Sequence, residues 1–424
     1  MSVSSPSKGK NGNSVSQAAR RVLRLSHPSH VSVLARDLLG WAHVPQDART
    51  HLDQTMAWLA RAQEQGGGAG VSAGYSLLDG WLPPYPETTG YIIPTFYDYA
   101  QLSGHDEFRS RARRMADWEI EVQLPSGAVR AGLYRSSTAG TPAVFNTGQV
   151  MLGWHRAFTE TGDARYLAAA TRAANWLVAV QQPTGAWSMN SSEVETTLHA
   201  YDVRTAWSLL QLSRLVNNPS YADSAQRNLE WTLAQQHSNG WFDNNAFFIS
   251  SKKWNRPLTH TIAYVMEGLF ETSQILGEMR LLEAARKTAD RLLQIFDDRG
   301  WVPGEFDCSW NSRAAYRCLT GDAQLAGMWL RLFAHTGDMR YFRAAKKLNA
   351  DVMGTQDLHC ANPGIRGGVK GSQPIAGRYT PFTYINWGAK FLADSLMLQE
   401  QLVKDGRSEE LRMSLTEGNT TACA

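Results

Sequence analysis

The 424-residue sequence has little or none of several features that define large classes of protein. Its four cysteines (Cys308, Cys318, Cys360 and Cys423) are scattered, and none lies in a CxxC or Cys/His spacing, so we expect no zinc site. No run of about 18 apolar residues is present, which predicts no membrane span. The N-terminus lacks the long apolar core and cleavage site of a signal peptide. We therefore expect a cytoplasmic protein with neither a metal nor a cofactor.

Charge and aromatic content bound the kinds of ligand that the chain can take. Lys and Arg number 42 against 39 Asp and Glu, too small an excess for a nucleic-acid-binding surface. The aromatic residues are numerous, with 15 Trp, 14 Tyr and 14 Phe. Such rings fill protein cores, and their flat apolar faces also stack on pyranose rings. A large core and a sugar-binding cleft are both consistent with this composition.

A ladder of three residue types recurs along the chain: an aromatic residue, then Trp, then Gln. The copies are Phe108, Trp118 and Gln123; Tyr166, Trp176 and Gln181; Tyr221, Trp231 and Gln236; a weaker Tyr341, Asp351 and Gln356; and a partial Trp58 and Gln63. A glycine follows most of the glutamines, as in "QQPTGAW" and "QQHSNGW". Self-similarity at such a period indicates a repeat architecture.

Each repeat pairs two kinds of helix. One is apolar nearly all round, as in "TGQVMLGWHRAF", and is therefore predicted to be buried. The other has a charged face, as in "EAARKTADRLLQIF", and is predicted to face solvent. Buried helices are expected to begin near Gly90, Thr147, Tyr201, His260, Gly321 and Thr383.

Five buried helices have an amphipathic partner after them, and the sixth partner is predicted to be the N-terminal helix at 47–63. The fold class is thus all-α: an (α/α)6 toroid of six inner and six outer helices, closed by its own N-terminal outer helix. We assign 46–403 to this single domain, 1–45 to a partly disordered N-terminal segment, and 404–424 to a C-terminal tail. An open solenoid is the alternative, but it would need polar capping helices at both ends.

Long connections lead from each outer helix to the next inner helix, and function is expected there. The N-termini of all six inner helices then face one mouth, which favours an anionic or hydroxylated ligand. The Gly-rich basic run 362–379 is predicted to cover this mouth and to offer Arg366, Lys370 and Arg378 to anions. A ring of polar residues at one height of the inner helices is predicted to line the axis: Tyr91, Gln149, Arg204, Tyr264, Gln324 and Tyr384.

Candidate catalytic groups near the mouth are carboxylates and proton-transfer residues. The carboxylates are Glu87, Glu305 and Asp307, because a glycosidase needs one protonated and one ionised carboxyl group. The proton-transfer candidates are His199, Tyr201, His260 and Tyr264, which suit removal of a proton beside a uronate carboxylate. Further substrate-binding candidates are Asp202, Arg204, Trp254, Trp310, Arg366 and Trp387. Asp202 and His260 could instead be helix caps, and the tryptophans could be core.

These repeats and the ending "GIRGGVKGSQPIAGRYTPFTYINWGAKFLADSL" resemble the α/α-toroid proteins. One branch, the six-hairpin glycosidase-like group, includes unsaturated glucuronyl hydrolases, uronate lyases and sugar epimerases; the ending is similar to toroid proteins of bacterial exopolysaccharide production. The other branch is the terpenoid-cyclase-like group. The chain has no Asp-x-Asp-Asp run and no Cys/His zinc set, which disfavours alkene cyclisation and prenyl transfer, and no catalytic residue is carried over from the unsaturated glucuronyl hydrolases.

The resemblance implies a carbohydrate-active protein that acts on an anionic, uronate-containing saccharide by hydrolysis, β-elimination or epimerisation, in exopolysaccharide metabolism. Its partners would be an oligosaccharide or polysaccharide substrate and polysaccharide-biosynthesis proteins, with no nucleic acid. Two alternatives stay open: an isoprenoid-type cyclase, which would have an apolar cavity, and a non-catalytic saccharide-binding assembly subunit.

Overall fold

A computed structural model describes residues 11–188, 198–247 and 256–405. The helices are α1 (Asn11–Leu25), α2 (Pro28–Leu39), α3 (Ala48–Gln65), α4 (Pro86–Ser103), α5 (Glu107–Val122), α6 (Val144–Thr161), α7 (Ala164–Val180), α8 (Val203–Ser213), α9 (Pro219–Leu233), α10 (Thr259–Leu276), α11 (Met279–Arg299), α12 (Leu319–Thr336), α13 (Met339–Met353) and α14 (Asn386–Lys404). No helix in this part of the chain is both long and apolar enough to cross a bilayer.

The even-numbered helices from α4 to α14 form a closed inner ring. Each contacts its neighbours in chain order, and α14 returns to contact α4. Helix α3 packs against α14 as the sixth outer helix and meets α13 as well, so the N-terminal outer helix closes the ring. The prediction of an all-α (α/α)6 toroid is confirmed.

Small residues let the inner helices approach one another closely. A Cβ atom on Gly90 of α4 would lie 2.5 Å from the Cα of Val150 on α6. A Cβ atom on Gly268 of α10 would lie 2.5 Å from Cγ1 of Val203 on α8. Because real Cβ atoms do not come this close to other atoms, any larger residue would push two helices of the ring apart. The interruptions in the apolar helices therefore serve the packing of the inner ring.

The glutamines of the sequence ladder join neighbouring outer helices. The Gln123 amide, after α5, donates to the carbonyl of Ala169 on α7 at 3.0 Å. The Gln181 amide, after α7, donates to the carbonyl of Ser224 on α9 at 2.9 Å. Each also donates to the carbonyl of the glycine in its own loop. The recurring Gln and Gly are thus the two ends of one structural joint, which explains their fixed spacing.

The aromatic members of the ladder join the outer helices in the opposite direction. The Tyr166 hydroxyl on α7 donates to Asp117 on α5 at 3.0 Å. The Tyr221 hydroxyl on α9 donates to Asn175 on α7 at 2.6 Å. These tyrosines are otherwise buried, so the hydrogen bond satisfies a hydroxyl that would be costly to leave unpaired. The repeat is therefore a pattern of contacts between neighbouring hairpins as well as a helix pattern.

Short strands stiffen the long connections at the mouth. Strands β1 (Gly74–Ser76), β2 (Gly80–Trp81) and β7 (Thr383–Ile385) form one antiparallel sheet in the order β2-β1-β7. The pair β3 (Val129–Arg130) and β4 (Pro142–Ala143), and the pair β5 (Arg317–Cys318) and β6 (Ser372–Gln373), form two smaller antiparallel sheets.

The sheet order corrects one member of the predicted axial ring. Tyr384 lies on β7 opposite Tyr75, because the last inner helix begins at Asn386 rather than near 383. Counting five residues into α14, as for the first, second, fourth and fifth ring members, gives Phe391. The ring is therefore Tyr91, Gln149, Arg204, Tyr264, Gln324 and Phe391.

Helices α1 and α2 lie before the toroid, in the segment that the sequence analysis expected to be partly disordered. His27 caps α2, since its Nδ1 accepts the N–H of Ser29, and proline occupies the first turn. Gly40 ends α2 in a left-handed conformation. The proposed domain boundaries at 46 and 403 stay predictions.

The ring closure gives a stability test at Gln356, which follows α13 and is buried. Its amide donates to Thr55 of α3 and to the carbonyl of Gly367, both at 2.9 Å, and its oxygen lies 2.7 Å from Nδ1 of His51 on α3. We expect Gln356→Leu to lower the free energy of unfolding by about 2–4 kcal/mol, because buried polar groups lose their partners. Chemical denaturation measures this.

Gln294→Leu is the matched control, because Gln294 is an exposed residue of α11. We expect that change to stay within about 0.5 kcal/mol of wild type. Equal unfolding free energies for the two variants would mean that the Gln356 joint does not hold the first and last outer helices together.

Candidate active site

A cavity of about 340 Å³ lies at the N-terminal ends of the inner helices. Its walls come from the long connections and the first turns of α4, α10 and α14. The lining residues are Tyr85, Glu87, Thr88, Tyr91, Phe247, Arg256, Leu258, His260, Arg378, Tyr379, Thr380 and Trp387. Five of them, Glu87, Tyr91, His260, Arg378 and Trp387, are residues that the sequence placed at the mouth. This space is called the mouth cavity below.

Glu87 is the carboxyl group of the mouth cavity. It lies in the first turn of α4, after a proline that suits the start of a helix. Its Oε2 accepts a hydrogen bond of 2.5 Å from the Tyr85 hydroxyl. Desolvation raises the pKa of Glu87 to about 7, although the hydrogen bond from Tyr85 and the charge of Arg204 oppose the rise. Both protonation states are therefore populated near neutral pH, as a general acid or base requires.

Aromatic side chains form much of the cavity wall. The Trp387 indole N–H donates to the Tyr379 hydroxyl at 2.8 Å, which fixes the plane of both rings. The ring of Tyr85 stands edge-on to Trp387, with centroids 6.3 Å apart. Phe247 lies parallel to Tyr379 at 6.5 Å. The cavity thus offers flat apolar faces of the kind that stack on sugar rings.

Two arginines bring positive charge to the cavity. Arg378 Nη1 lies 3.7 Å from Oε1 of Glu305, and Arg256 Nη2 lies 3.9 Å from Oδ2 of Asp307. Both guanidinium groups are partly exposed. A partly exposed arginine beside an aromatic wall suits an anionic ligand, because its planar fork matches a carboxylate.

The predicted carboxylates Glu305 and Asp307 do not line the cavity. Glu305 is buried, and its Oε2 accepts a 3.0 Å hydrogen bond from the Tyr316 hydroxyl. Asp307 folds its own loop, since its Oδ1 accepts the backbone N–H groups of Ser309 and Asn311. Glu305 lies beside Arg378 and Asp307 beside Arg256, so the two carboxylates help to position these guanidinium groups.

The two predicted histidines are buried and neutral. Desolvation lowers the pKa of His260 to about 3, although a hydrogen bond to Gln324 opposes the change. The Nδ1–Oε1 distance of that bond is 2.5 Å, so Nδ1 carries the proton and Nε2 is left as the basic nitrogen. Desolvation also lowers the pKa of His199 to about 4. His199 stacks on Tyr201 at 4.5 Å and lies behind the cavity wall.

The axial ring forms the floor of the mouth cavity. The Arg204 guanidinium lies over the Tyr264 ring at 4.9 Å and over the Phe391 ring at 6.0 Å. Tyr91 lies 5.7 Å from Phe391 and also lines the cavity above. Burial raises the pKa of Tyr264 well above its usual value, so this phenol stays protonated at neutral pH. The floor is an aromatic layer that contacts two cations, Arg204 and Lys390, since Lys390 Nζ lies 4.2 Å from the centre of the Phe391 ring.

Arg204 is held by protein groups rather than left open to the mouth. Its Nη1 hydrogen-bonds to Glu267 of α10, and its Nε donates to Gln149 of α6 at 2.8 Å. Burial would raise the pKa of Glu267, but Arg204, Arg331 and Lys390 outweigh it and hold the pKa low. The prediction that Arg204 holds a substrate carboxylate is not supported, because its guanidinium already carries a buried carboxylate.

A second cavity lies on the far side of this floor, at the C-terminal ends of the inner helices. Its volume is about 970 Å³, and Arg204, Glu267 and Lys390 line it. Its charged side chains pair with one another, as Arg156 does with Asp98 at 2.7 Å. The paired charges make this cavity polar without leaving it strongly of one sign.

Several predicted site residues lie away from the mouth cavity. Trp310 is buried against Trp241 and donates its indole N–H to the carbonyl of Asn239, so it is loop core. The backbone carbonyl of Arg366 accepts a hydrogen bond from Arg61 on the outer helix α3. Asp202 is buried in the turn before α8, and Trp254 lies outside the described residues.

Seven lining residues were missed in the sequence: Tyr85, Thr88, Phe247, Arg256, Leu258, Tyr379 and Thr380. Tyr85 precedes Glu87 by two residues in "PYPETT", and Tyr379 ends the Gly-rich run that was predicted to cover the mouth. The sequence thus held a cue for each of these two tyrosines. Neither position recurs in the other hairpins, so the repeat did not single them out. In the described ranges, no group of three His, Cys, Asp or Glu side chains is arranged to hold a metal ion.

The raised pKa of Glu87 predicts a pH-dependent stability. Because the folded protein binds this proton more tightly, the stabilisation is complete below the unfolded pKa near 4.5 and is lost as pH rises through about 7. The shift corresponds to about 3 kcal/mol. We expect Glu87→Gln to raise the melting temperature relative to wild type at about pH 8 but not at about pH 4.

Thermal unfolding across this pH range measures the effect, with Glu121→Gln on the exposed face of α5 as the matched control. A melting-temperature difference that does not change with pH would mean that the Glu87 carboxyl is ionised normally in the folded protein.

Comparison with known proteins places this geometry in context. The family model for the ulvan lyase N-terminal domain matches residues 151–323, which is less than half of the chain. No curated protein sequence matches the chain.

Solved structures of similar fold cover most of this chain and nearly all of their own. An unsaturated glucuronyl hydrolase specific for heparin has a TM-score of 0.67 at 16% identity and covers 84% of this chain and 98% of its own. The unsaturated glucuronyl hydrolase of a Bacillus species has a TM-score of 0.65 at 16% identity, with 85% and 97% covered. The cellobiose 2-epimerase of Spirochaeta thermophila has a TM-score of 0.63 at 11% identity, with 84% and 98% covered. The chain therefore shares the (α/α)6 toroid fold with these structures.

Proposed function

We propose that this protein is an enzyme that acts on an anionic, uronate-containing saccharide and transfers a proton through Glu87. The observation that carries the proposal is one carboxyl group, with a pKa raised to about 7, inside an aromatic cavity that also holds two arginines. Each part matches one part of such a substrate: the rings suit a pyranose, the arginines suit a carboxylate, and Glu87 suits proton transfer.

The chemistry that this arrangement supports best is β-elimination. Arg378 or Arg256 would neutralise the uronate carboxylate, which lowers the cost of removing the neighbouring C5 proton. Ionised Glu87 would take that proton while the C4–O bond breaks and a C4–C5 double bond forms. The departing oxygen would take a proton from a phenol, for which Tyr85 and Tyr379 are the nearest candidates. The match of residues 151–323 to the ulvan lyase N-terminal domain supports β-elimination as the first candidate.

Hydrolysis is the second candidate, and the raised pKa of Glu87 also supports it. A protonated carboxyl could donate to the substrate, as the general acid of a glycosidase does. The unsaturated glucuronyl hydrolases share the fold over most of the chain. A floor closed by the axial ring and a volume at the low end for a ligand site suit a short saccharide or a chain end. Epimerisation would use the same proton transfer and is a third outcome of the test.

The remaining alternatives from the sequence are less well supported. A carbocation cyclase would gain nothing from two guanidinium groups beside its reacting centre, since like charges repel. A purely binding subunit would not need a carboxyl group with a raised pKa, which costs stability at neutral pH. Cytoplasmic location is a further part of this proposal, supported by the few scattered cysteines and the N-terminal pattern. Exopolysaccharide metabolism and association with polysaccharide-biosynthesis proteins are also parts of it, supported by the sequence resemblance alone.

The pH profile of activity separates the first two candidates. If ionised Glu87 is the base of an elimination, kcat/KM should rise as pH increases through about 7. If protonated Glu87 is the acid of a hydrolysis, kcat/KM should fall across the same range. The measurement is turnover of uronate-containing oligosaccharides, with products followed by mass and by the absorbance of unsaturated uronate.

Glu87→Gln should lower kcat by about 10²- to 10⁴-fold while the protein stays folded, because the amide cannot transfer the proton. Glu121→Gln is the control and should keep full activity. Full activity in Glu87→Gln would sink the assigned role of Glu87. An absence of turnover on all uronate substrates, with tight binding retained, would favour the binding-subunit alternative.

Arg378→Gln tests recognition of the substrate carboxylate separately from proton transfer. We expect KM for a uronate substrate to rise about tenfold or more, because a charge-assisted hydrogen bond is lost. Arg313→Gln changes an exposed arginine of the 300–318 connection that does not line the cavity, and it should leave KM unchanged. An equal effect of the two substitutions would mean that Arg378 makes no specific contact with substrate.

A further inference from the structure

The segment of residues 18–44, called the N-terminal platform here, exposes an unusual amount of apolar surface. Among the described residues, ten large apolar side chains are exposed, and seven of them lie in this platform. The seven are Val22, Leu23, Val31, Leu38, Leu39, Trp41 and Val44. Exposed apolar side chains are ordinary when they are scattered, but a concentration of them marks an interaction surface.

Helix α2 is held rigidly against the toroid by its inner face. His30 Nε2 lies 3.1 Å from the Tyr75 hydroxyl, and Val33 is buried. Asp37 accepts hydrogen bonds from Lys370 at 2.7 Å and from the backbone N–H of Ile375 at 2.6 Å. The apolar outer face of α2 is therefore fixed in place and does not fold back onto the body.

The outer face of α2 carries an apolar stripe. Val31, Ala35 and Leu38 are exposed and follow one another at spacings of four and three residues, which places them on one side of the helix. Leu38 is 87% exposed, and Trp41, just beyond the helix, is 62% exposed. The apolar stripe of an amphipathic helix normally packs against the protein core. No described residue buries this one.

The apolar surface of the platform is accompanied by positive charge. On α1, Arg20, Arg21 and Arg24 are exposed on the side opposite Val22. Arg21 reaches the body through Asp79 at 2.9 Å, and this pair is partly exposed. The platform contains four arginines and one acidic residue, Asp37, so its formal charge is +3. The net charge of the whole chain is also +3, so the rest of the protein is formally neutral.

We propose that the N-terminal platform binds the surface of an anionic lipid bilayer. A helix with apolar residues on one side and arginines on the other lies in the interface plane, where apolar groups enter the headgroup boundary and cations meet anionic lipids. Trp41 supplies the amphipathic ring that favours this boundary. A second copy of the chain is a poorer occupant, because a two-fold interface would bring the arginines of both copies together.

The bound orientation would turn the mouth cavity toward the membrane. The platform attaches through Tyr75, Asp79, Lys370 and Ile375, which all lie in connections that lead into inner helices. Those connections also carry Tyr85, Arg378 and Tyr379 of the cavity wall. The inference is independent of the proposed reaction, since it concerns where the mouth is held and not what happens within it.

Co-sedimentation of the full chain with vesicles tests the proposal. We expect binding to vesicles of phosphatidylcholine with phosphatidylglycerol, weaker binding at high salt, and little binding to phosphatidylcholine alone. The double variant Arg20→Gln and Arg24→Gln leaves the Arg21–Asp79 pair intact. It should reduce partitioning about 30-fold, because each cation contributes about 1 kcal/mol. The Leu38→Glu variant should reduce it about tenfold or more.

Met279→Glu is the matched control, because Met279 is an exposed apolar residue of α11 outside the platform. It should bind vesicles as wild type does. Melting curves of all variants should match wild type, since the changed side chains are exposed.

Two results would overturn the proposal. One is an absence of vesicle binding by the wild-type chain. The other is a dimer in light scattering that Leu38→Glu abolishes while vesicle binding is unchanged, which would assign the platform to a second copy.

Discussion

The closure of the inner ring is the constraint on which the rest of the structure depends. Six helices that are apolar nearly all round can be buried only if each has a neighbour on both sides and an outer helix behind it. Helix α3 covers α14, and Gln356 joins the two ends of the outer ring. Without α3 in that place, the outer side of α14 would face water. Helix α3 therefore supports the site by holding α14, whose first turn carries Trp387 of the mouth cavity.

Ring closure also forces polar chemistry into the axis. Arg204 and Glu267 lie where six helices converge, and they are tolerable there because they pair with each other and Glu267 also pairs with Arg331 at 3.6 Å. With Tyr264 and Phe391 they form a layer that separates the mouth cavity from the larger polar cavity beyond it. This layer lies between Glu267 and the mouth cavity, and Glu87 is the one carboxyl among the described residues that line the cavity.

The balance at Glu87 shows how the site is tuned. Burial favours the neutral form of Glu87, whereas Tyr85 and the more distant Arg204 favour the anion. The balance gives a pKa of about 7. Burial lowers the pKa of His199 and of His260, so both histidines stay uncharged. The fixed positive charge comes from Arg256 and Arg378 at the exposed edge of the cavity, where the desolvation penalty of a cation is small. The titratable carboxyl group and the fixed positive charges thus occupy different depths of one cavity.

The sequence by itself determined the helix pairs and the closed toroid, because apolar periodicity and the Gln ladder report local and nearest-neighbour contacts. It also placed Glu87, His260 and Trp387 at the mouth, since each lies at the start of an inner helix. The tertiary structure alone decided that Arg204 pairs with Glu267, because that contact joins residues far apart in sequence. It likewise moved the sixth ring position from Tyr384 to Phe391, since a short strand delays the start of α14. Periodicity fixes what a residue's own helix does, and only packing fixes which distant side chain it meets.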